Sequence, residues 1–169
     1  ITILGDDEKT YLIASETDYG AGNATNTLYD YSCDELLKIK TITIGSNGKN
    51  AEISKAILAG NEIFAEYQYL DNSIFHNGIA VISTEGECLY NCDIEDNLFQ
   101  YNYNSSGNVI LSMTGSDGSF KFQRFNMNDR KIEELSLDDV SYGIFFQGII
   151  GNDGNIYVQK GNKILKYDI

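Results

Sequence analysis

The sequence predicts an all-β protein built from repeated four-stranded antiparallel meanders. Three observations carry this. The first is a periodic turn: Gly60-Asn61-Glu62-Ile63, Gly107-Asn108-Val109-Ile110 and Gly154-Asn155-Ile156-Tyr157 each precede an apolar, β-prone run. The intervals are 107 − 60 = 47 and 154 − 107 = 47 residues, and a fixed period in this range marks a repeat architecture. The second is the succession of short runs rich in Ile, Val, Tyr, Phe and Thr with turn signals between them. The third is the absence of any long segment with helical periodicity; 34–40 comes closest, and it runs into the alternation Thr41-Ile42-Thr43-Ile44.

Aligned on the Gly-Asn turns, the chain divides into units of four strands, A to D. In the first unit these fall near 1–4, 10–15, 26–31 and 37–44. The A–B turn there, Gly5-Asp6-Asp7-Glu8-Lys9, departs from the Gly-Asn pattern with similar chemistry. The second unit places them near 54–59, 62–69, 78–83 and 88–94, and the third near 98–103, 108–114, 119–126 and 131–137. In the fourth, A, B and C lie near 144–150, 155–160 and 163–168, with no D strand. Proline is absent, so the turns rest on Gly and Asn, which tolerate positive φ.

One four-stranded meander cannot bury both of its faces. Stacking such sheets face to face around an axis does, and this is the logic of a β-propeller. The stretches "IIGNDGNIYVQKGNKILKYD" at 149–168 and "NYNSSGNVILSMTGSDGSFKFQRFN" at 102–126 resemble blades of the YVTN, NHL and TolB-like propeller superfamily. Essentially the whole chain shares that resemblance. No Trp-Asp dipeptide, Tyr-Val-Thr-Asn or kelch Gly-Gly pair selects one family. The expectation is a single propeller domain or part of one, with blades at 1–44, 54–94, 98–137 and 144–169. Residues 1–4 read as strand A, so these are about four blades of a larger propeller; the alternative is a closed four-bladed ring. A start at Ile1 rather than Met suggests a piece of something longer.

Composition narrows the partners. Formal net charge is −13 and the pI is near 4.3, a field that repels nucleic acid and anionic lipid. No apolar run reaches the ~18 residues of a membrane span, so no membrane insertion is expected. Cys33, Cys88 and Cys92 are too few for a disulfide framework, and Cys88 and Cys92 read as two half-buried thiols. Localisation is unknown from these data, with an extracytoplasmic or cell-surface setting favoured.

A meander places its A–B and C–D turns at one end and its B–C and D–A loops at the other. The second end carries 16–25, 45–51, 70–77 and 138–143, and long loops mark binding surface. The candidate ligand- or partner-binding residues there are Tyr19, Phe75, His76 and Tyr142, aromatic or amphipathic groups of the kind enriched in interfaces and in sugar or peptide sites.

The sequence points to no catalytic residue, cofactor or metal. His76 is the only histidine, which excludes a multi-His centre. Gly115-Ser116-Asp117-Gly118-Ser119 resembles the Asp-box of sialidase-type propellers but differs in spacing, lacks the Trp and falls in a B–C loop, so it reads as a hairpin turn. Asn152-Asp153-Gly154-Asn155 lacks the downstream glutamate of a calcium loop. Adjacent carboxylates such as Glu133-Glu134 point to opposite faces of a strand and make no acid/base pair. Strand A positions at the axis, Ser54, Lys55, Gln100, Asn102 and Gln147, are polar and suit a water-filled channel. The expected function is a non-catalytic binding or scaffolding module for a protein, peptide or glycan. The alternatives are a carbohydrate-active hydrolase or lyase acting at the axis, and a structural or sensor domain of a larger surface protein.

Overall fold

The computed structural model of the chain describes residues 1–5, 9–18, 21–31, 35–45, 49–137 and 148–169. Fifteen strands are present among them and no helix. They form four antiparallel meanders whose spatial order follows the chain: β1-β2-β3-β4, β5-β6-β7-β8, β9-β10-β11-β12 and β13-β14-β15. The chain falls into two compact units, Ile1–Glu95 and Asp96–Ile169, each holding two of these sheets.

In the first unit, one sheet consists of β1 (Thr2–Gly5), β2 (Thr10–Asp18), β3 (Asn23–Asp30) and β4 (Leu37–Ile42). The other consists of β5 (Glu52–Ala59), β6 (Glu62–Asp71), β7 (Ile74–Ser83) and β8 (Cys88–Ile94). Alternation decides their packing. Tyr11 and Ile13 from β2 and Leu28 from β3 meet Ile63, Ala65, Tyr67 and Tyr69 from β6 in one buried cluster. Transferring such side chains out of water supplies roughly 1.5–3 kcal/mol each.

Asn26 stands in the middle of this apolar seam, fully buried. Its Nδ2 donates to the Ala51 carbonyl at 2.7 Å, and its Oδ1 accepts from the Ile53 N–H at 3.0 Å and the Ser15 hydroxyl at 2.8 Å. A side-chain amide thus bridges two sheets that share no strand ladder, beside the Ala24 N–H bond to the Asn50 carbonyl at 2.9 Å. Asn50 repeats the device, donating to the Ala24 carbonyl and accepting from the Ile44 N–H at 3.1 Å.

In the second unit, β9 (Asn97–Tyr103), β10 (Asn108–Thr114), β11 (Phe120–Asn126) and β12 (Lys131–Leu135) form a complete sheet. β13 (Gly148–Ile150), β14 (Ile156–Lys160) and β15 (Lys163–Tyr167) form a three-stranded one. Ile110 and Phe122 pack on Ile150, Ile156 and Val158. Gln100 clasps Ile150 at both backbone groups, donating to its carbonyl at 2.9 Å and accepting from its N–H at 3.1 Å. Asn102 donates to the Gly151 carbonyl at 3.0 Å, and Asn104 to that of Ile169 at 3.0 Å. Gln100 and Asn102, expected at a water-filled axis, are therefore committed to the neighbouring sheet.

The 47-residue period has a geometric counterpart in the second unit. The turn at 104–108 closes with Asn104 N–H to Asn108 O at 2.9 Å and Gly107 N–H to Asn104 O at 3.2 Å. The turn at 151–155 closes with Gly151 N–H to Asn155 O and Gly154 N–H to Gly151 O, both at 2.9 Å. Gly107 and Gly154 take φ of 82° and 71°. Gly154 is doubly constrained, since a Cβ there would lie 2.3 Å from the Cβ of Asn104. Gly60-Asn61 differs: it is a two-residue link between Ala59 and Glu62.

Candidate binding site

The site is built on the β6–β7 hairpin of the first unit. Asp71 pairs with Ile74, leaving Asn72 and Ser73 as a two-residue link at φ of 49° and 64°. Positive φ at both positions matches the right-handed twist of the strands, as in a type I′ turn. The segment 70–77, expected as a long loop, is therefore strand and tight turn. Asn-Ser is a weaker hairpin signal than Asn-Gly, which is why the sequence alone reads as loop there. The segment 16–25 is likewise shorter than expected, because β2 runs to Asp18 and β3 starts at Asn23.

This hairpin sends the two neighbouring candidate residues to opposite faces. Phe75 pairs with Leu70 and His76 with Tyr69. Phe75 is 70% exposed. His76 stacks on the Tyr69 ring with centroids 4.9 Å apart and planes 12° from parallel. Tyr19 and Tyr142, the other two candidates, lie outside the described residues.

Phe75 borders a cavity of about 60 Å³ shared with Thr17, Asn23, Asn50, Glu52 and Gln68. These residues come from the β2–β3 end, the segment before β5, β5 itself and the end of β6. Asn50 is fixed from three directions, because its N–H also donates to Asn23 Oδ1 at 3.2 Å. The side chains of Thr17, Glu52 and Gln68 have no hydrogen-bond or ion-pair partner among the described residues. The cavity is far below the ~300 Å³ at which whole small molecules are enclosed, so it suits one protruding group of a larger partner. A hydroxyl, an amide and a carboxylate at its wall offer both donors and acceptors.

Behind the cavity, on the His76 face, lies a polar latch. Tyr67 and Tyr69 both donate to Asp93, to Oδ1 and Oδ2 respectively, each at 2.8 Å. Tyr67 and Asp93 both pair with Gly78. A Cβ on Gly78 would lie 2.1 Å from Tyr67 Cζ, so the ring crosses β7 only because that position has no side chain. Burial, together with the hydrogen bond to Asp93, pushes the Tyr67 phenol well above its ordinary value. Tyr67 is thus neither a nucleophile nor a base at neutral pH, and the latch stiffens the wall rather than doing chemistry.

Other sequence motifs resolve as structure. Gly115 N–H bonds Ser119 O at 2.8 Å, and Ser119 N–H bonds Asp117 Oδ1 at 2.9 Å, which makes the Asp-box-like segment a closed turn. Asp153 accepts from Asn155 and from the Tyr157 hydroxyl, and the Tyr157 bond is the largest cause of its depressed pKa. Cys88 is exposed and Cys92 half-buried, correcting the expectation of two half-buried thiols. The register shift between Val81 and Ile82 inserts Leu89 into the strand and breaks the alternation that the expectation relied on. No group of three or more His, Cys, Asp or Glu able to hold a metal occurs among the described residues. Among the described residues no helix is long and apolar enough to cross a membrane.

No protein-family profile matches the sequence. No curated protein sequence matches it either. Solved structures do. The β-propeller domain of the trilobed protease from Pyrococcus furiosus is 15% identical with a TM-score of 0.56, over 98% of this chain and 56% of that one. Hydrazine synthase of Kuenenia stuttgartiensis gives 15% and 0.56 over 92% and 47%. Sqt1 of Chaetomium thermophilum gives 14% and 0.53 over 99% and 42%. The chain thus spans about half the length of the solved structures it matches. At this identity the likeness speaks for the fold alone, and with the meander topology it identifies the chain as an all-β protein of β-propeller type.

Proposed function

We propose that the chain is a binding module that holds a protein, peptide or glycan partner at the end bearing the β2–β3 and β6–β7 turns. The observation that carries this reading is the small cavity beside Phe75. An exposed aromatic ring stands next to a recess in which Thr17, Glu52 and Gln68 have no side-chain partner among the described residues, and the recess takes one group of a partner lying across the surface. Aromatic anchors beside such recesses commonly cost more than ~1–2 kcal/mol of binding when truncated. Tyr19 is proposed for this contact surface by its place between β2 and β3, and Tyr142 is proposed separately as a contact of the second unit by its place between β12 and β13. His76 supports it indirectly, through its stacking on Tyr69.

The test uses the purified chain on a printed glycan array and on a displayed peptide library. Phe75→Ala should abolish the signal that the parent protein gives, with circular dichroism unchanged. Glu87→Ala and Asp129→Ala, in β7–β8 and β11–β12 turns, should leave it intact. Loss with the second set and retention with the first would overturn the assignment of the face. Release of reducing sugar from any bound glycan would replace the binding reading with the hydrolase one.

A further inference from the structure

Resting on the binding reading above, we infer that the occupant of the recess beside Phe75 is the ammonium head of a lysine, carried on an extended segment of a protein or peptide partner.

The wall is left with acceptors. Asn50 spends its side chain inside the protein, Nδ2 on the Ala24 carbonyl and Oδ1 on the Ile44 N–H. Asn23 Oδ1 is taken by the Asn50 N–H. What remains is the Thr17 hydroxyl, the Glu52 carboxylate and the Gln68 amide, none with a side-chain partner among the described residues. Glu52 and Gln68 stand directly opposite each other in the β5–β6 ladder. Such a pairing brings Cβ atoms to about 5 Å. All three residues are half-buried. A half-buried carboxylate with no counter-charge stays uncompensated until a cation meets it. Hydroxyl, carboxylate and amide oxygens all accept, and an ammonium has three donors and no acceptor.

The charge around the recess points the same way. Glu16 and Asp18 flank Thr17, and Asp71 follows Leu70, which also lines the recess. Lys49 is the only lysine or arginine next in sequence to a lining residue. Its Nζ lies beside the β2–β3 turn, 3.7 Å from where a Cβ on Gly22 would stand. With Glu52, four carboxylates against one ammonium leave the site negative, and the net charge of −13 adds to its field. A cation is drawn in and an acidic group is repelled.

Size selects among cations. The recess of about 60 Å³ suits a compact ammonium, whereas a guanidinium is a broader planar fork. Phe75, exposed at the rim, gives a lysine's methylene stem an apolar surface and its charge an aromatic ring.

The probe is the blocked peptide acetyl-Gly-Ser-Lys-Ser-Gly-amide, titrated into the isotope-labelled whole chain and read by amide NMR shifts. The expected result is saturable shifts at Gly22, Glu52, Gln68 and Phe75. Norleucine in place of the peptide lysine keeps the stem and removes the charge, and should weaken binding about tenfold or more. Arginine there should bind more weakly than lysine. Glu52→Gln should weaken lysine binding by about tenfold. Asp129→Asn, the same change of net charge in the β11–β12 turn, should leave it unaltered. Lys49→Met should strengthen it, the reverse of what an anionic occupant requires. Absence of shifts at these amides, equal binding of the lysine and norleucine peptides, tighter binding of the arginine peptide, equal effects of Glu52→Gln and Asp129→Asn, or weakening by Lys49→Met would each overturn the proposal. A glycan or uncharged peptide whose capture is lost in Phe75→Ala and unaffected by Glu52→Gln would overturn the lysine and leave the binding face standing. Capture that survives Phe75→Ala would overturn the face itself.

Discussion

Replacing Asn26 by Ala isolates what one side-chain amide contributes to joining two sheets. The change removes the donor to the Ala51 carbonyl and the acceptor for the Ile53 N–H, and both residues are buried, at 0% and 3% exposure. A buried backbone group left without a partner costs about 1–3 kcal/mol, so the two together cost about 2–6. Ser15→Ala removes a single half-buried donor to the same amide and should cost about 0.5–1.5 kcal/mol. Urea unfolding followed by tyrosine fluorescence suits a chain with 12 Tyr and no Trp. With a slope of about 2 kcal/mol/M, Asn26→Ala should lower the midpoint by about 1 M or more, and Ser15→Ala by well under 1 M. Asn26→Asp should be milder at pH 4 than at pH 7, because only the protonated acid can donate to Ala51. A midpoint for Asn26→Ala within about 0.2 M of the parent would refute the reasoning, since it would mean that the freed groups find partners.

Gly78→Ala should destabilise by about 1–3 kcal/mol through collision with the Tyr67 ring, and Gly78→Ala with Tyr67→Leu should recover part of it; differential scanning calorimetry reads both. The Tyr67 phenol is raised in the folded protein, so its contribution is complete below the unfolded value near 10 and is lost as pH rises beyond it. Spectrophotometric titration should accordingly show one tyrosine fewer ionising before unfolding in the parent than in Asp93→Ala. Burial raises the Glu66 carboxyl, more than Lys55 lowers it, so its stabilising effect holds below its unfolded pKa and is lost as pH rises through the folded one. Glu66→Gln should therefore raise the melting temperature at pH 7 and leave it nearly unchanged at pH 3.

The fold was legible because its determinants are local. Alternation and Gly-Asn turns set strand, turn and repeat without any knowledge of distant contacts, and the runs at 62–69 and 108–114 are found where the alternation puts them. The site was legible only in part. Phe75 could be named as an aromatic in a connecting region, but its separation from His76 depends on a hairpin register set by positive φ at Asn72 and Ser73. The cavity's polar wall draws on four segments brought together by sheet packing, and nothing at Thr17, Glu52 or Gln68 marks it in sequence. Asn26 did carry a signal. It sits on the same parity as Ala24 and Leu28, and a lone amide on an otherwise apolar face marks a buried hydrogen-bonding position. Gly78 within a β-prone run carried another, as a glycine inside a strand marks a close approach.

The amides that sew neighbouring sheets together all address the main chain. Asn26, Gln100, Asn102 and Asn104 bond carbonyl or N–H groups in or flanking the following sheet, and Asn50, in the link between two sheets, bonds back to the Ala24 carbonyl of β3. Every residue type presents the same carbonyl, so the sheet receiving such a bond can change its side chains without loosening the joint. Substitutions then accumulate on the two sides of a junction without having to match. A blade that carries its fastener with it can also be duplicated beside an unrelated neighbour and hold from the first generation. A fold joined in this way can keep its shape while the side chains across the joint change.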